Sequence, residues 1–67
     1  MRVTVYNLKG NKVKSSEVVD LNIANVLIVT KFNEDYYRVE LCKGLDIFVN
    51  FDDYIRIVHT LSRWEIL

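Results

Sequence analysis

Residues 25–41 read "NVLIVTKFNEDYYRVEL", two runs rich in β-branched and aromatic side chains around the polar centre Asn33-Glu34-Asp35. Such runs favour strands, and Asn, Asp and Glu at the centre suit a turn that hydrogen-bonds locally. A hairpin follows, with strands over residues 24–32 and 36–43. A three-residue loop sets Val29 opposite Val39 and Leu27 opposite Leu41, with Ile28 facing Glu40, Thr30 facing Arg38 and Phe32 facing Tyr36. A two-residue loop would oppose Lys31 to Arg38, a like-charge pair that costs free energy, so the longer turn is favoured. In the favoured register one face is a core of Leu27, Val29, Val39 and Leu41. The other carries Val26, Ile28, Phe32, Tyr36 and Cys42 among Thr30, Arg38 and Glu40, and is apolar enough to need covering.

The flanking segments extend the hairpin into a meander. "VTVYNL" alternates, and Gly10-Asn11 follows with residues that tolerate the positive φ of a tight turn, so a first strand spans residues 2–8. Residues 12–19 form a second strand whose lysines and central serines suit a solvated edge protected by charge. Gly44 ends the fourth strand, and "LDIFVN" makes a short fifth.

The last stretch, "FDDYIRIVHTLSRWEIL", contains β-branched residues but has helical periodicity. At 100° per residue Tyr54, Ile57, Val58, Leu61 and Trp64 share one side, while Asp52, Asp53, Arg56, His59, Thr60 and Arg63 share the other. Asn50 is placed to cap this helix, and two aspartates sit at the positive end of its dipole. Trp64 is expected to anchor the helix end, with a docking role for the terminal "WEIL" as the alternative. The expected architecture is α+β, an antiparallel meander of five strands packed against one C-terminal helix; the alternative is a small all-β barrel.

Composition bounds the function. The 67 residues make one small domain, half of them apolar, with nine basic and nine acidic side chains. Zero net charge gives no overall attraction to phosphate or to anionic lipid, so neither nucleic acid nor a membrane is the expected partner. The longest apolar run, residues 26–29, is far too short to cross a bilayer, and no signal-peptide apolar region opens the chain. A single cysteine, Cys42, excludes an internal disulfide and fits a reducing, cytoplasmic setting.

Residues of the types that carry chemistry have simpler roles. His59, the one histidine, falls on the polar arc of the helix with no nucleophile near it in sequence, and reads as a surface side chain. Cys42 reads as a small apolar strand residue, since no local signature presents its thiol. One Cys and one His do not make a zinc site. The pairs Glu34/Asp35 and Asp52/Asp53 are explained as turn chemistry and helix N-terminal charge, and no glycine loop is built for phosphate. The expectation is therefore a non-enzymatic protein without cofactor or metal, engaged in protein–protein contact. Accessory and inhibitor proteins, those of phages and mobile elements included, offer an analogy of size and composition.

The uncovered sheet face is the expected contact surface, with Ile28, Phe32, Tyr36, Arg38 and Glu40 at its centre and a homodimer as the simplest way to shelter it. Surface aromatics beside Arg38, Lys31 and Lys43 also raise single-stranded nucleic acid as an alternative ligand.

Overall fold

The computed structural model describes the backbone of residues 1–66 and the side chains of residues 1–63. Strands β1 (Arg2–Lys9), β2 (Lys12–Asp20), β3 (Val26–Lys31), β4 (Tyr36–Leu41) and β5 (Leu45–Asn50) lead into one helix, α1 (Phe51–Ile66). The α+β meander expected from the sequence is thus the fold. The strands form two open antiparallel sheets, β1-β2 and β3-β4-β5, and no closed barrel. The side chain of Trp64, expected to anchor the helix, lies outside the described residues.

Local chemistry sets each turn. Gly10 has φ +62° and closes β1 onto β2 through the pair Lys9–Lys12. The positive φ falls on Gly10 and not on Asn11, as a II′ hairpin turn requires at its first central residue. Asn33 Oδ1 accepts the N–H groups of Asp35 and Tyr36, both at 2.9 Å, which folds the three-residue loop expected between β3 and β4. At the end of β4, Lys43 (φ 73°) and Gly44 (φ 74°) are consecutive left-handed residues. They turn the chain at Leu41, so β4 stops short of Cys42 and Lys43, which belong to a 3₁₀ turn, Cys42–Gly44.

The central hairpin keeps its expected register from Ile28 to Lys31, with Ile28 opposite Glu40, Val29 opposite Val39 and Thr30 opposite Arg38. Nearer its start it differs. A bulge between Val26 and Ile28 lets Val26, rather than Leu27, pair with Leu41. An inserted residue reverses the facing of everything beyond it. Val26 therefore turns toward the core, where an unbroken strand would leave it on the open face, and Leu27 turns out to 68% exposure. The strand is also shorter than its composition suggests, because residues 23–25 form a 3₁₀ turn whose Ala24 N–H is capped by Asn22 Oδ1.

Helix α1 packs against β4, β5 and the 3₁₀ turn before β3, and reaches the start of β1. Val3, Leu21, Ile23, Val39, Val49 and Ile57 form the buried core, drawn from β1, the β2–β3 connection, β4, β5 and the helix. Tyr37 stacks on Tyr54 at 3.9 Å between ring centroids and extends this core along the helix. Asn50 caps the helix as expected, accepting the Asp53 N–H at 2.9 Å.

Asp53 does more than complement the dipole. It is 8% exposed, accepts the Thr4 N–H at 2.9 Å, and pairs with Arg56 at 2.8 Å. Arg56 in turn donates to the Arg2 carbonyl. Strand β1 lies alongside β5 with no ladder between them, so these bonds and the one from Asn50 Nδ2 to Tyr6 OH, 2.9 Å, bridge the two sheets. The polar arc read from helical periodicity thus has one member, Asp53, turned inward by a backbone donor from a distant strand.

Two outcomes in urea denaturation follow. Asp53→Ala, which strips Thr4 and Arg56 of a buried charged acceptor, should lower stability by about 3 kcal/mol, with Asp53→Asn losing less because one acceptor oxygen remains. Val26→Ala should cost about 1 kcal/mol and Leu27→Ala no more than about 0.5 kcal/mol; the reverse order would place Leu27 in the core and refute the bulge.

Candidate interaction face

One helix leaves the second side of the sheets bare. Alternation along β3 and β4 places Ile28, Thr30, Arg38 and Glu40 there, with Tyr36 and Phe32 at the turn end. Backbone pairing brings Phe32 and Tyr36 together, Phe32 N–H donating to the Tyr36 carbonyl. Their rings part company: Phe32 packs edge-on against Phe48 of β5 at 4.8 Å, and Tyr36 packs against Tyr6 of β1 at 5.0 Å. The two residues face one another across the hairpin, as expected, without a ring pair between them. Each turns instead toward an aromatic on another strand.

The five residues singled out from the sequence do share this face. Ile28 is 47% and Phe32 45% exposed, while Tyr36, Arg38 and Glu40 are half-buried. Val26 and Cys42, also expected here, belong elsewhere: Val26 turns to the core, and Cys42 is a half-buried free thiol in the 3₁₀ turn. Tyr6, Phe48, Asp46, Asn50 and Val18 join the face instead. Phe48 and Asp46 were within reach of the sequence, since pairing β5 to β4 sets Phe48 opposite Arg38 and Asp46 opposite Glu40. Tyr6 was not, because only the tertiary fold lays β1 next to β5.

Charge on the face is closed upon itself. Arg38 makes an ion pair with Glu40, and its Nε lies 3.2 Å from Asp46 Oδ2 without a directed hydrogen bond. The guanidinium bridges two carboxylates carried by neighbouring strands, which leaves an aromatic and aliphatic surface with one neutralised cation at its centre. A cleft of about 270 Å³ opens between β1 and β5, with Tyr6, Leu8, Glu17, Asp46 and Phe48 among its walls.

Comparison with family models, with curated proteins and with solved structures brought no match to this chain. The face must be read from its own chemistry.

Other candidate chemistry is dispersed. His59 is exposed on α1, as its place in the helical pattern predicts. Among the described residues no three His, Cys, Asp or Glu side chains gather at metal-binding distance, and no helix is long and apolar enough to cross a membrane. A second cleft, of about 460 Å³, lies where Met1, Asp20, Leu21, Ile23 and Thr60 meet. The Met1 ammonium is already engaged there by Asp20 and the Leu21 carbonyl.

Proposed function

We propose that this protein is a non-catalytic binding module that associates with a second copy of itself through the bare sheet face, in the manner of an accessory or inhibitor protein. The observation that carries the reading is the contiguity of Ile28, Phe32, Phe48, Tyr36 and Tyr6 on a face that no described element covers. Aromatic residues with a single arginine, poor in free charge, are the composition of an interface centre.

Charge balance favours a second copy. Arg38, Glu40 and Asp46 neutralise one another to within one charge, and the chain has no net charge, so two copies meet without strong repulsion. Two sheets stacked face to face about 10 Å apart would bury both sets of aromatic side chains. Single-stranded nucleic acid is less well served, because the one cation amid the aromatic rings is held by two carboxylates that repel phosphate.

At about 100 µM, where a contact worth about −5.5 kcal/mol is half assembled, light scattering should show a mass above that of the monomer. Ile28→Glu and Tyr36→Ala should each weaken the association at least tenfold while leaving the far-ultraviolet spectrum of the monomer unchanged. A wild-type chain that stays monomeric throughout, or variants that associate as the wild type does, would dismiss this face as the contact.

A further inference from the structure

The β1–β2 hairpin runs past the core and ends as a free ribbon. Every residue of β2 from Lys12 to Val18 is exposed, on both faces of the strand, and β2 hydrogen-bonds to no strand but β1. The whole molecule measures 38 × 23 × 19 Å, so it is markedly elongated. At the ribbon's end stand Lys9, Lys12 and Lys14, three positive charges within six residues. The tip, residues 9–16, thus carries +3, and the remainder of the chain, with six basic against nine acidic side chains, carries −3. The neutral total conceals a separation of charge.

Two features of the arm are costly to the chain alone. Lys9 and Lys12 are direct cross-strand partners, and like charges placed so are destabilising. A bulge at Asn7–Leu8 inserts Lys14 between Val13 and Ser15, adding a third cation beside them. Among the described residues none of the three lysines has an acidic partner within ion-pair distance. An external anion would offset both costs.

We propose that this arm binds the phosphate backbone of B-form DNA, entering the major groove as a two-stranded ribbon. Two strands about 4.8 Å apart, with their side chains, match a groove about 12 Å wide; the narrow, deep major groove of duplex RNA does not admit them. The lysines at the tip meet phosphates at the groove wall, and Ser15 and Ser16, exposed on opposite faces of β2, each offer a hydroxyl to a phosphate on their own side. Net negative charge on the rest of the chain restricts the contact to the arm. An acidic polypeptide would match the charge but makes no use of a two-stranded ribbon exposed on both faces.

Fluorescence anisotropy with a labelled mixed-sequence DNA duplex tests this directly. Binding of about 10⁻⁴ M or tighter is expected at 20 mM salt, with a log–log salt slope near −2.7, so that affinity falls about 200-fold by 150 mM. Each single Lys→Gln change at Lys9, Lys12 or Lys14 should reduce the slope by about 0.9, and the triple variant should not bind. The triple variant should also unfold at no lower urea concentration than the wild type, since the Lys9–Lys12 repulsion is gone. Absence of binding at 20 mM salt overturns the proposal. So does a triple variant that binds like the wild type. Equal affinity for duplex RNA or for polyglutamate would overturn the groove fit and leave the arm a site for acidic polymers in general. All of these titrations are made in the Ile28→Glu background, which leaves the arm intact and removes the sheet-face contact, so failure of the arm proposal and failure of the self-association reading stay distinguishable.

Discussion

A single buried carboxylate ties this molecule together. Asp53 accepts from Thr4 on β1 and pairs with Arg56, which reaches the backbone of Arg2. The two sheets share no ladder across the line between β1 and β5, so the start of the helix, together with the Asn50–Tyr6 bond, holds them side by side. The core depends on that alignment: Val3 from one sheet and Val39 and Val49 from the other are buried in one cluster with Ile57. A buried charge is tolerated here because a backbone N–H and a guanidinium both donate to it.

One helix over two sheets creates an unavoidable asymmetry. A chain of this length has material to cover one face, and the face it leaves bare contains aromatics from β1, β4, β5 and the β3–β4 turn. These rings pack in pairs across strands, which shields part of each. Their outer surfaces and Ile28 remain in water. The proposed self-association rests on this remaining apolar exposure.

The same shortage of material shapes the other end. Strand β2 is an edge strand with no neighbour beyond it, and its distal part has no layer above or below. Lysines and serines keep such an edge soluble and deter strand addition. They also concentrate positive charge where the chain is narrowest, which a net charge of zero does not reveal.

Much of this was legible in the residues themselves. The Asn33-Glu34-Asp35 turn, the edge character of residues 12–19, the short strand LDIFVN and the Asn50-capped helix all rest on interactions between residues close in sequence, where spacing and side-chain chemistry decide the outcome. Ile28, Phe32, Tyr36, Arg38 and Glu40 could be assigned to one face because strand alternation is local too. Long-range packing decided the rest. The bulge at Leu27, which turns Val26 into the core, depends on how β3 meets Leu41 and the helix; the inward turn of Asp53 depends on a donor 49 residues away; Tyr6 joins the open face only because β1 lies against β5. Periodicity reports which residues an isolated strand or helix places together. Which of those groups is buried depends on where distant segments come to rest.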